Sequence, residues 1–158
     1  MSSCNSLLAV DLGVRTGLAV YGTDGRLVCY RSRNFGTAAR LRRAVPGILD
    51  ELPDLAWLIL EGGGPLADIW QREATRRGIP VCRIAAEEWR AGMLYPRQQR
   101  DRAHAKHSAD ELARQVIEWS GAARPTALRH DAAEAILIGL WGVRHVGWLA
   151  ALPPGLRG

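Results

Sequence analysis

Residues 7–12, LLAVDL, form a short apolar run followed by Gly13 and Gly17, and residues 17–22, GLAVYG, continue extended to Thr23-Asp24-Gly25. Apolar runs of this length that meet at an Asp-Gly pair read as two strands of a hairpin. Residues 26–34, RLVCYRSRN, alternate from Leu27 and Cys29 into a polar outer set and predict a third strand. The period then lengthens. Residues 38–52 have a helical pattern, with Pro46-Gly47 expected to kink or break it. Residues 56–61, AWLILE, read as a buried strand, and residues 65–78 as a helix with Pro65 in its first turn and Gly78 at its end. Residues 79–85 supply a fifth strand, 87–94 a short helix and 95–102 a polar loop. An amphipathic helix covers 108–119, starting as early as Arg102, and a last helix runs from about Arg129 to Val143. The tail from about residue 150, with its Pro-Pro-Gly, is expected to be loosely ordered.

Three hairpin-linked strands followed by alternating helices and strands imply an α/β chain with a mixed five-stranded sheet and helices on both faces. The order β-β-β-α-β-α-β-α resembles that of the ribonuclease H-like fold. A length of 158 residues suits one domain, residues 1–158, and 47% apolar residues suffice for an ordinary core. No apolar run approaches the roughly 20 residues that span a bilayer, so no membrane is expected as a partner. The start, MSSCNSLLAVDLG, lacks the regions of a secretory signal, and Cys4, Cys29 and Cys82 show no metal-ligand spacing. A reduced, cytoplasmic setting is the expectation. The net charge is +5, and of 21 basic residues only Lys106 is a lysine. GC-rich coding accounts for part of this, yet arginine also binds phosphate through planar bidentate contacts.

The carboxylates change the picture. Asp11 ends the first apolar strand and Glu61 ends AWLILE. Asp131 and Glu134 stand three residues apart at the front of the apolar stretch HDAAEAILIGLWG, and so share one helical face. Taken singly, each acid has an ordinary reading. Asp11 can form a turn before Gly13, Glu61 can cap a glycine-rich turn, and Asp131 and Glu134 can complement a helix dipole. These readings leave unexplained why all of them fall at one end of one sheet, where open α/β folds gather ligands. Converging acids need shared protons or bound cations, and hard oxygen donors suit Mg²⁺ or Mn²⁺. Two such ions roughly 4 Å apart can activate a water and stabilise the leaving oxygen of a phosphodiester.

LLAVDLGVRTGLAVYG resembles the opening of the RuvC-type Holliday junction resolvases, LILEGG their second acid motif, and HDAAEAILIG their closing helix, which usually reads Asp-Ala-Ala-Asp-Ala-Leu. AHAKHSADELARQV lies where that family carries a lysine followed by a helix, and Lys106 falls there. The motifs keep the family's order over residues 7 to 142. The resemblance implies a homodimeric, Mg²⁺-dependent endonuclease that nicks four-way DNA junctions symmetrically, with Mn²⁺ able to substitute. Asp11, Glu61, Asp131 and Glu134 would be its metal ligands, and these with Lys106 its catalytic residues. Two departures stand out: Glu134 replaces the usual Asp, and Gly62-Gly63-Gly64 replaces bulkier residues that include an aromatic which helps open the junction. Trp70 or Trp89 could stand in for that aromatic, but a core role is the better reading for either. The helices carrying Trp70 or Trp119 are candidate dimer contacts.

Between Tyr95 and His107, Arg97, Arg100, Arg102 and Lys106 are opposed only by Asp101, a pattern that can follow a phosphate backbone or line a solvated loop. His130 is placed either to orient a ligand or water, or to cap or pack the last helix. The glycine triplet has no following Gly-Lys-Ser/Thr and so is not a Walker loop. Three other readings compete with a DNA junction resolvase. They are a YqgF-like or other ribonuclease H-like nuclease acting on RNA, an actin-like phosphate motif, and a non-catalytic nucleic-acid-binding module. Actin-like ATPases need two such domains, and four intact acids argue against a module without catalysis.

Overall fold

The structure, a computed structural model, describes residues 5–93, 102–153 and 156, apart from the side chains of residues 102–105. Its strands are β1 (Ser6–Asp11), β2 (Arg15–Gly22), β3 (Leu27–Asn34), β4 (Leu55–Glu61) and β5 (Val81–Ile84). Its helices are α1 (Ala38–Asp50), α2 (Gly64–Arg76), α3 (Ala86–Met93), α4 (Arg102–Ser120) and α5 (His130–His145). The sheet order is β3-β2-β1-β4-β5, with β1–β2 and β2–β3 antiparallel and β1–β4 and β4–β5 parallel. This is a ribonuclease H-like α/β fold with helices on both faces. Among the described residues no helix is long and apolar enough to cross a membrane.

Strand alternation divides the core in two. Leu7, Ala9, Ala19, Tyr21 and Ile59 join α3, α4 and α5, whereas Leu8, Val10, Leu18, Leu58 and Leu60 join α1 and α2. The central strands are covered on both faces, which is why β1 and β4 read as unbroken apolar runs. Most of α5 from Ala132 to Val143 is buried, and the helix lies against β1 to β4 as well as α3 and α4.

Small residues let α5 come this close. A Cβ built on Gly17 would stand 1.9 Å from the backbone oxygen of Asp131, and one on Gly139 would stand 2.3 Å from the Tyr21 ring. The Tyr21 hydroxyl is buried and donates to the Ile136 carbonyl of the same helix. The turn between β1 and β2 is held by Thr16, wholly buried, whose hydroxyl donates to the Gly13 carbonyl at 2.6 Å. Thr16-Gly17 thus does two separate things, closing the turn and seating the helix.

One expectation needs correction. Pro46-Gly47 does not break α1, which runs unbroken through both. Burial of Leu41, Val45, Ile48 and Leu49 on one side outweighs the one helical hydrogen bond that proline removes. Trp70 is fully buried against α1 and the sheet, so of its two readings the core role holds. Leu152 packs on the α5 side of the core and Leu156 is buried in it.

Gly17→Ala is expected to destabilise the fold by about 3 kcal/mol, because the methyl meets immobile backbone rather than a side-chain end. Gly47→Ala, in α1 with nothing within 4 Å of the new Cβ, is expected to stabilise by about 0.5–1 kcal/mol. Urea unfolding of both variants checks the pair. A neutral Gly17→Ala would show that α5 is free to back away from β2.

Candidate metal centre

The pleat that builds the core also aims the acids. Asp11 follows Leu7 and Ala9 on the α5 side of β1, and Glu61 follows Ile59 on the same side of β4. The two are register partners across the parallel β1–β4 pair, so both carboxylates leave the sheet side by side at its carboxyl end. Glu134 reaches them from the first turns of α5, and one ligand oxygen of each of Asp11, Glu61 and Glu134 lies within 4.8 Å of the others. Asp131 stands beside this trio. Its carboxylate accepts a hydrogen bond from Ser32 Oγ of β3 at 2.5 Å and contributes to the charge felt by Asp11.

Each acid of the trio has different company. The Trp89 indole of α3 donates to Glu61 Oε2 at 2.9 Å. Glu134 Oε1 accepts from Arg90 Nη2 at 3.0 Å and faces His130 Nε2, also at 3.0 Å. His130 Nδ1 faces Asp110 Oδ1 of α4 at 3.4 Å. Asp11, at the centre, is driven up to about 8 by burial and then by the charges of Glu134, Glu61 and Asp131. Burial also raises Glu61, against the pull of the Trp89 hydrogen bond. For Glu134 burial pulls upward too, but the hydrogen bond and charge of His130, with Arg90, outweigh it and hold the carboxyl below its ordinary value. His130 is correspondingly raised, first by its bond to Glu134.

The donor set fits a divalent cation. All three donors are carboxylate oxygens, the chemistry of Mg²⁺ and Mn²⁺ sites. Oxygens on opposite sides of one Mg²⁺ stand about 4.2 Å apart, so a spread within 4.8 Å closes with small side-chain adjustments. Without a cation, the crowding of these acids favours the protonated form of Asp11.

Of the residues singled out from sequence, the structure brings Asp11, Glu61 and Glu134 together, with Asp131 alongside. Lys106 is exposed on α4, one turn before Asp110. Arg97 and Arg100 lie outside the described residues, and Arg102 begins α4 with its side chain undescribed. Trp89 is fully buried and bound to Glu61, so it is not a free aromatic at the site mouth. Trp119 is partly buried against the core, with the Arg26 guanidinium 4.4 Å over its ring. Sequence reasoning missed Arg90, Ser32 and Asp110, and gave Trp89 no role toward Glu61. The one available signal for Trp89 and Arg90 was topological: α3 leaves the carboxyl end of β5, next to the end of β4 where Glu61 sits.

The fold and its acid cluster define a RuvC-like, ribonuclease H-type architecture with a candidate metal centre. RuvC of T. thermophilus, solved in complex with a Holliday junction substrate, superposes with a TM-score of 0.62 at 14% identity, over 90% of this chain and 94% of that one. The yeast mitochondrial Holliday junction resolvase Ydc2 superposes with a TM-score of 0.60 at 11% identity, over 91% of this chain and 81% of that one. At such identities the likeness is one of fold. No protein-family model matches the sequence, and no curated protein matches it.

The raised acid at the centre has a measurable consequence. Below the ordinary carboxylate range Asp11 is protonated in both the folded and unfolded chain and costs nothing. From there up to about 8 the folded chain keeps a proton that the unfolded chain has lost, so stability falls as pH rises. Glu61 adds to the same slope, while the lowered Glu134 acts at and below the carboxylate range and does not oppose it. In metal-free protein, Asp11→Asn is therefore expected to flatten this fall and to be the more stable form near pH 8. Thermal unfolding across that window compares the two, and parallel profiles would remove Asp11 from the centre of the cluster.

Proposed function

We propose that the chain is a metal-dependent, structure-selective DNA endonuclease that resolves four-way junctions by paired nicks. The observation that carries this reading is the register pairing of Asp11 with Glu61 beneath Glu134, which gathers three carboxylates at the carboxyl end of the sheet. Asp11, Glu61 and Glu134 would hold Mg²⁺, or Mn²⁺ in its place, with Asp131 beside them. When bound, such ions activate water and stabilise the leaving oxygen of a phosphodiester. Trp89 fixes the orientation of Glu61, and Arg90 and His130 keep Glu134 ionised and turned toward the other two. Ser32 holds Asp131 against β3. Lys106 stands one turn from Asp110 on α4, and Asp110 reaches the His130 beside the acids. This neighbourhood supports a role for Lys106 in stabilising charge on the scissile phosphate. Arg97, Arg100 and Arg102 are proposed to contact the backbone phosphates of branched DNA. The likeness in fold to two junction resolvases, one of them solved with a Holliday junction substrate, favours branched DNA over RNA.

Synthetic four-way junctions, linear duplex and RNA–DNA hybrid, each with Mg²⁺ or with EDTA, test the reading directly. The junction is expected to be cut by paired nicks in Mg²⁺ alone. Asp11→Asn should abolish cutting while leaving junction binding intact or slightly tighter, since it removes negative charge beside phosphate. Lys106→Ala should lower the single-turnover rate at saturation more than the affinity, as expected of an interaction made mainly in the transition state. Cutting of the hybrid in preference to the junction would move the chain to the RNA-processing reading.

Paired nicks need two coordinated centres, and two-fold pairs are the commonest closed assemblies, so a homodimer is part of the proposal. Sedimentation at micromolar concentration with junction present is expected to show two chains per junction. One chain per junction would leave paired cutting without a structural basis.

A further inference from the structure

His130 is the first residue of α5, an unusual place for a basic side chain. The N-terminal end of a helix carries partial positive charge and disfavours cations. Capping does not explain it either, because α5 has no side-chain hydrogen bond at its N-cap, Arg129. What the position does provide is reach in two directions. One turn along the same helix, Glu134 Oε1 lies 3.0 Å from His130 Nε2, and across the helix interface Asp110 Oδ1 of α4 lies 3.4 Å from Nδ1. A carboxylate only accepts, so the Nε2–H donates to Glu134, while Asp110 fixes the ring from behind.

We infer that Asp110 and His130 are positioning residues which, as one chain of contacts, hold the carboxylate of Glu134 in the orientation that completes the metal centre. This rests on the metal-centre reading given above. A glutamate is freer than an aspartate, because one added methylene gives it another torsion to fix. Anchoring Oε1 removes that freedom. Arg90 Nη2, 3.0 Å from the same Oε1, fastens it from α3, so the carboxylate is gripped from two helices. Partners that orient a ligating group in this way are typically worth about ten- to a hundred-fold in metal affinity.

Calorimetric titration of Mn²⁺ into the metal-free full chain, without DNA, reads this apart from activity. His130→Ala is expected to weaken Mn²⁺ binding at least about ten-fold. His130→Gln, which keeps an N–H donor, should recover part of the loss. Asp110→Asn and Asp110→Ala should weaken binding less than His130→Ala, and Asp110→Ala should add nothing in a His130→Ala background, since the two act through one chain. Glu134→Gln is the reference for loss of a ligand. If wild type binds Mn²⁺ and Glu134→Gln does not, while the His130 and Asp110 variants match wild type, the positioning role is wrong and the metal centre stands. Tighter binding by His130→Ala would show that the imidazole competes with the ion, and additive losses would break the proposed chain. If wild type takes up no Mn²⁺, the metal-centre reading falls and this one with it.

Discussion

The close seating of α5 on β2 is the constraint on which the rest of the site depends. Strand register alone brings Asp11 and Glu61 together, but two acids at a sheet end make only half a site. The third arrives because Gly17 lets the backbone of Asp131 rest directly on the strand that pairs with β1 at Asp11. Gly139 under Tyr21 and Gly142 against Ile59 keep the next turns equally close, so the helix cannot tilt away from one end without disturbing the other. Fixing a rigid helix at three such points fixes where Glu134 emerges. The polar contacts then refine a placement that packing has already made: Ser32 holds Asp131, and Tyr21 ties down the Ile136 carbonyl.

How much of this could be read from the chain follows from which parts are local. Strand positions were legible because alternation and Asp-Gly punctuation are local signals, and all five strands fall where the pattern predicts. The convergence of Asp11, Glu61 and Glu134 was also legible, since strand ends and a helix face each have a known direction once the topology is drawn. Asp131 illustrates the limit. Its spacing from Glu134 places both on one face, yet its partner is Ser32, 99 residues away, and no spacing rule carries that distance. Trp89 and Arg90 were hidden in the same way, as neighbours in sequence that serve two different acids. Pro46 shows the opposite failure. A local rule predicted a break, and burial of one helix face overrode it.

The electrostatics of the cluster is uneven, and the unevenness follows from which helices reach it. Among the described residues, Glu134 of the trio is the acid in ion pairs, with Arg90 of α3 and His130 of α5. Glu61 has a neutral donor, the Trp89 indole, and Asp11 feels the other carboxylates chiefly as repulsion. Glu134 is thus charged without any cation, whereas Asp11 keeps its proton up to about 8. That division makes the site uneven: a negative anchor on the helix, and on the central strand a group that a bound cation would help to ionise. Binding a divalent ion at such a centre releases a proton near neutral pH, so affinity for the ion rises with pH through the range in which Asp11 titrates. The pH response of the cluster therefore originates in the strand acid Asp11, and the helix acid Glu134 would set where an ion sits.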